Sequence, residues 1–106
     1  MTLEELQKEI DQWANQFEKP YFSPLSRMAA LTEEVGELAR CMNNMYGDKN
    51  RKSDEESKNL AEETADILFS LVCNANAEGI DLTKCMEQKF NKLYKRDNER
   101  FKKKGE

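Results

Sequence analysis

Histidine is absent from the 106 residues of this chain. Its absence removes the usual nitrogen ligand of zinc, and it argues against the Glu-x-x-His di-iron bundles. Cysteine is scarce: Cys41, Cys73 and Cys85 are odd in number, widely separated and without a CxxC. Reduced core thiols in a cytoplasmic protein are the simplest reading, with no disulfide framework. There is no excess of positive charge either. Seventeen Lys and Arg stand against 21 Asp and Glu, a net charge of −4. A nucleic acid polymer is therefore not the expected partner, because such binding needs a basic footprint. No apolar run approaches the roughly 20 residues that cross a bilayer. Met1-Thr2-Leu3-Glu4-Glu5 has no basic n-region or apolar run, so neither a membrane span nor a signal peptide is expected.

What is present is charge. The apolar fraction is 38% and the charged fraction 36%, unusually polar for a chain long enough to form one domain over residues 1–106. It has fewer apolar residues than a monomer of this length normally buries. A homodimer or a homotetramer, as a dimer of dimers, is a natural remedy.

The pattern is all-α, with four helices and no strand-like alternation. The first is expected over Leu3–Glu18, opened by a Thr2/Glu5 capping box and carrying Leu3, Leu6, Ile10, Trp13 and Phe17 as its apolar stripe. Lys19-Pro20-Tyr21-Phe22 breaks it. Ser23 then reads as an N-cap with Pro24 at the first helical position, and the second helix runs to Tyr46 with Gly47 closing it. Residues 48–53 form a polar loop. Ser53 or Asp54, with a Ser53/Glu56 capping box, opens a third helix that ends at Glu78-Gly79. Asp81 or Thr83 opens the fourth, which carries Leu82, Met86, Phe90 and Leu93 into a basic end. Lys102-Lys103-Lys104 reads as a frayed terminus.

Two of these helices carry acids among apolar residues. With Glu34 set at 0° on a helical projection, Leu31, Leu38 and Met45 all fall within about 60° of it. Glu37 and Glu33 lie on the edge of the same face. A solvated charged face explains Glu4-Glu5 and Glu55-Glu56, but not Glu34. On the third helix Glu63 and Asp66 lie within about 60° of each other. Ala65–Cys73 is apolar nearly all round, which predicts burial in a bundle or interface. Asp66 is the only charge there and needs a partner. Acidic residues three apart share a helix face and can share one cation. An all-carboxylate set suits a hard cation, Mg²⁺ or Mn²⁺, and Mg²⁺ commonly completes its shell with substrate phosphates.

Glu34-x-x-Glu37, a gap of 25 residues, and Glu63-x-x-Asp66 resemble the motif of the MazG-like all-α nucleoside triphosphate pyrophosphohydrolases. Tyr21-Phe22-Ser23-Pro24-Leu25, Leu31–Arg40, Ala75-Asn76-x-x-Gly79-Ile80-Asp81-Leu82 and Lys92-x-x-x-Arg96-Asp97 are similar to the short single-domain bacterial members. The likeness spans about residues 5 to 101. It implies a four-helix, bundle-like fold and hydrolysis of a (d)NTP to the monophosphate and pyrophosphate, with house-cleaning of non-canonical nucleotides as one role. It makes Glu34, Glu37, Glu63 and Asp66 the metal ligands, and Glu33 or Glu34 the group that activates the attacking water. Lys92, Arg96 and, more weakly, Lys89 match positions that meet phosphates, and Asn76 matches a recurrent family Asn. Trp13, Phe17, Tyr21 and Phe22 could stack a base or simply pack between helices.

Two other readings stay open. A non-catalytic helical interaction module would use the acids in ion pairs with Arg27, Arg40 or Lys92. A phosphoribosyl-ATP pyrophosphatase would share the fold and the reaction with a different substrate.

Overall fold

A computed structural model describes residues 1–48 and 60–105. Among these residues are four α-helices: α1 (Leu3–Ala14), α2 (Pro24–Tyr46), α3 (Leu60–Ala77) and α4 (Leu82–Lys92). A single π-helical stretch, Leu93–Asp97, continues α4. No strand occurs among the described residues. The fold is all-α, as the periodicity predicts.

The helix boundaries follow local chemistry. Thr2 and Glu5 form the expected reciprocal capping box. The first helix stops at Ala14, four residues short of the expected Glu18. Asn15 Nδ2 turns back onto the Asp11 carbonyl at 2.7 Å. Gln16 and Phe17 then donate to Trp13 and Ala14 carbonyls three residues back, a tightening that ends a helix. Ser23 caps α2 through its extended backbone with Pro24 following, although its hydroxyl donates to Ser26 Oγ rather than to the backbone. Gly47 closes α2 because of a close approach: a Cβ there would stand 2.6 Å from the Asn43 carbonyl oxygen. The expected start of the third helix at Ser53 or Asp54, with its Ser53/Glu56 box, lies outside the described residues.

The α3–α4 junction is a Schellman turn. Ile80 N donates to Ala75 O at 2.8 Å and Gly79 N to Asn76 O at 3.2 Å, with Gly79 at φ +71°, a conformation that suits glycine. Asp81 caps α4 by accepting from Lys84 N. Gln7 on α1 satisfies another exposed end: its Oε1 accepts from Leu82 N and its Nε2 donates to Ile80 O.

Helix α3 is the hub, packed most extensively on α2 and also on α1, while α4 rests on α1. Arg27 near the start of α2 meets Asn74 near the end of α3, so the two helices run antiparallel. The core is small. Among the described residues only Ile10, Ala14, Cys41, Glu63, Val72 and Ala75 are buried. The expected burial of Ala65–Cys73 is met in part: Val72 is fully enclosed, but Leu68, Phe69 and Leu71 are 40–46% exposed. Trp13 and Phe17 are also about half exposed, since α1 ends before Phe17 can join its stripe. The chain exposes 8803 Å², against roughly 6,100 Å² for a compact monomer of this mass. Its radius of gyration is 17.8 Å, against about 13 Å for a compact domain of this length.

Candidate active site

Helices α2 and α3 face each other with their acids at the same level. Glu34 and Glu37 lie one turn apart on α2, Glu63 and Asp66 one turn apart on α3, and the antiparallel register brings the two pairs together. One carboxylate oxygen from each of the four lies within 4.8 Å of all the others. Glu63 is only 2% exposed, the most enclosed charged side chain described. Glu34 and Asp66 are half-buried and Glu37 is exposed. Glu34, Glu37 and Glu63 make further interactions of their own. Even so, Oε2 of Glu34 and Oε2 of Glu63 lie buried without a hydrogen bond. Burying carboxylate charge is costly unless it is neutralised. Four converging oxygens with two such atoms among them fit a hard divalent cation, and the donor set contains nothing that favours zinc.

Glu33 is exposed and stands outside the four-acid cluster. The alternative use of the acids in ion pairs with Arg27 is not seen, because Arg27 Nη2 pairs with Glu78 instead. Lys89, Lys92 and Arg96 are exposed on α4 and its π-helical continuation. Among the described residues no ion pair joins any of them to the four acids. Arg96 Nε contacts Asp97 Oδ1 at 3.1 Å. That hydrogen bond holds the Asp97 carboxyl below its ordinary range and raises Arg96 further.

One helical turn from the acids, toward the start of α2 and the end of α3, lies a cavity of about 170 Å³. Trp13 of α1 and the Pro20-Tyr21-Phe22 segment form one side, Arg27 and Ala30 of α2 a second, and Phe69, Ser70 and Cys73 of α3 a third. Ala30 precedes Glu34 by four residues and Ser70 follows Asp66 by four, so cavity and cluster share a face on both helices. Trp13 packs edge-on against Phe17 and Phe69, with ring centroids 5.1 and 5.7 Å apart.

Polar contacts fix the aromatic segment. Arg27, whose side chain is 10% exposed, donates from Nη1 to the Phe22 carbonyl at 2.7 Å and from Nε to Asn74 Oδ1 at 3.0 Å. Tyr21 OH donates to Asp11 Oδ1 at 2.6 Å and accepts from Asn76 Nδ2 at 3.1 Å. Burial first, and the bond to Asp11 second, push the Tyr21 phenol up to about 12. Asn76 also donates to Gln7 O and accepts from Gln7 Nε2, so it braces the aromatic segment about 15 Å of helix rise from Asp66. Sequence reading missed Arg27, Ala30, Phe69, Ser70 and Cys73 as site residues. Their spacing was the available signal: Arg27 and Ala30 precede Glu34 by seven and four, while Ser70 and Cys73 follow Asp66 by four and seven.

The chain is similar to known proteins over nearly its whole length. The MazG nucleotide pyrophosphohydrolase domain family matches residues 22–101. The chain is 45% identical to the uncharacterised protein YpjD of Bacillus subtilis (strain 168) over 105 residues, covering 99% of this chain and 95% of that protein. Among solved structures, the crystal structure of Bacillus subtilis YPJD, described as a candidate pyrophosphatase, superposes with a TM-score of 0.79 at 45% identity, covering 88% of this chain and 95% of that one. The Bacillus-conserved MazG protein, a nucleotide pyrophosphohydrolase, gives a TM-score of 0.76 at 44% identity, with 91% and 93% covered.

Proposed function

The chain belongs to the MazG nucleotide pyrophosphohydrolase family, and from that premise we propose that it is a metal-dependent enzyme cleaving a nucleoside triphosphate, ribo or deoxy, to the monophosphate and pyrophosphate. Family membership supports pyrophosphate-releasing hydrolysis of nucleotides. The observation that carries the finer reading is the convergence of the Glu34, Glu37, Glu63 and Asp66 oxygens within 4.8 Å of one another.

In this reading those four residues hold Mg²⁺, with Mn²⁺ able to serve. A bound divalent cation would neutralise phosphate oxygens and lower the pKa of a bound water. Glu63, enclosed between the helices, fixes the inner wall of the cluster, and exposed Glu37 lies where a phosphate can approach. Glu34 takes the proton of the attacking water from within the cluster, or the neighbouring Glu33 does so from its exposed position outside it. Trp13 and Tyr21 contact the base, and Asn76 supports them by holding Tyr21. Lys92, Arg96 and Lys89 receive the pyrophosphate. Because those cations lie on the helix that packs against α1, a second copy of the chain is the natural source for them.

A homodimer or homotetramer is part of the same proposal. Met28, Leu31, Val35, Leu38, Met42 and Met45 alternate at three- and four-residue spacing along α2, the seam of a helix that pairs with another. Four of the six are about half exposed: Met28, Val35, Met42 and Met45. Among the described residues no helix is long and apolar enough to cross a membrane; a cytoplasmic location is part of the same proposal.

A release assay over canonical and modified NTPs and dNTPs tests the reaction. Monophosphate plus pyrophosphate, lost on adding EDTA, is the expected outcome. Diphosphate plus phosphate, or turnover indifferent to EDTA, contradicts it.

A further inference from the structure

We propose that Arg27 is a positioning residue for the nucleotide: its guanidinium sets the Tyr21-Phe22 segment against the cavity, two helical turns from the acids. The inference rests on the reaction proposed above and adds a residue on which substrate binding depends.

Arg27 is nearly enclosed, its side chain only 10% exposed, and a charged group is kept inside a fold when its donors are met. Those donors go to three different places. Nε donates to Asn74 Oδ1 on α3 at 3.0 Å, Nη1 to the Phe22 carbonyl at 2.7 Å, and Nη2 pairs with Glu78 just beyond α3. One planar fork therefore joins α2, the end of α3 and the segment ahead of α2.

That segment has need of the tie. Helix α1 ends at Ala14 and α2 begins at Pro24, so Tyr21 and Phe22 have no helical ladder to locate them. Tyr21 is held at the tip of its side chain, where its hydroxyl meets Asp11 and Asn76. The Phe22 ring is exposed and packs too little to fix the backbone. The Arg27 bond to the Phe22 carbonyl fastens that backbone to α2, and Tyr21, Phe22 and Arg27 line the same cavity.

The acids stand apart from this tie. Glu34 follows Arg27 by seven residues, roughly 10 Å of helix rise, and the ion-pair partner of Arg27 is Glu78. Losing the fork should therefore loosen the cavity wall and leave the cation site intact. Lysine at this position keeps the charge and most of the stem. It offers one ammonium where the guanidinium donates in three directions.

The test compares the parent with Arg27→Lys in three readouts. The first is KM and kcat for pyrophosphate release from the best substrate among ATP, GTP, CTP, UTP and their deoxy forms. The second is Kd for the α,β-imido analogue of that nucleotide with Mg²⁺, read from the fluorescence of Trp13, the single tryptophan and a cavity residue. The third is the Mg²⁺-induced rise in melting temperature. KM and Kd should rise about tenfold, the low end of what one pocket contact discriminates. The Mg²⁺ response should persist, and kcat should change less than KM. A purely structural Arg27 would lower the melting temperature and leave KM and Kd at the parent values, which would overturn the inference. Loss of the Mg²⁺ response would overturn it too, by placing Arg27 in the support of the cation site. If Arg27→Lys does not fold, Asn74→Ala decides alone, because it removes the acceptor that steadies Nε. A raised KM there supports the inference and an unaltered KM overturns it. Absence of pyrophosphate release by the parent would defeat the reaction itself, and this inference with it.

Discussion

Asp66 shows most clearly how a single side chain separates a binding site from a scaffold. If it served only to pair with a cation on another helix, Asp66→Asn would cost roughly 3–5 kcal/mol by breaking a buried pair. Crowded within 4.8 Å of three other carboxylates, it should instead relieve repulsion when it loses its charge. Chemical denaturation of the metal-free protein should then show Asp66→Asn level with the parent or slightly more stable. Glu34→Gln should behave the same way, and Glu33→Gln, outside the cluster, should change little. Tyr21 carries a second prediction. Removing its hydroxyl in Tyr21→Phe should cost about 1 kcal/mol, the usual worth of a hydrogen bond. The sign with pH follows from its raised pKa. The neutral phenol is favoured in the fold, so its contribution is complete below the unfolded value near 10 and is lost as pH rises through about 12. Denaturation midpoints of the parent and Tyr21→Phe should therefore differ by a constant amount up to about pH 10 and converge above it.

At the scale of elements, periodicity makes α2 and the acid-bearing part of α3 readable before any coordinates. Glu34 among Leu31, Leu38 and Met45, and Asp66 in an otherwise apolar stretch, conflict with a solvated face, and that conflict points to the acids that converge in the fold. The end of α1 is not readable in the same way. The stripe through Trp13 to Phe17 continues the helical period, while the chain leaves it at Asn15, whose side chain competes for the Asp11 carbonyl. Nor does the sequence reveal that Arg27 reaches Asn74 and the Phe22 carbonyl, because that depends on the antiparallel register of α2 and α3. Gly36 offers a test of helix α2 itself. A Cβ there meets nothing within 4 Å, and glycine inside a helix costs roughly 0.5–1 kcal/mol relative to alanine. Gly36→Ala should stabilise the protein by about that amount in urea denaturation. A loss instead would show that another surface presses on this turn of α2.

At the scale of the whole molecule, six buried residues among those described make a small core for a chain of 106. The exposed area, about 2,700 Å² above that of a compact monomer, is of the size a stable interface covers. Light scattering should give two or four times 12.4 kDa, and a stable monomer at micromolar concentration would contradict the assembly. The polar composition made that deficit visible in the sequence, whereas the faces that expose it depend on which side of α2 the other helices leave uncovered. The central claim is that four acids from two helices act together as one divalent-cation site. Its most direct measurement is the melting temperature of the protein and of Asp66→Asn across a Mg²⁺ titration. A cation at a hundred times its dissociation constant adds about 2.7 kcal/mol to the folded state, which raises the melting temperature of a domain this size by several degrees. The account predicts that rise in the parent and its collapse in Asp66→Asn. An unmoved melting temperature in the parent, or an equal rise in both proteins, would contradict it.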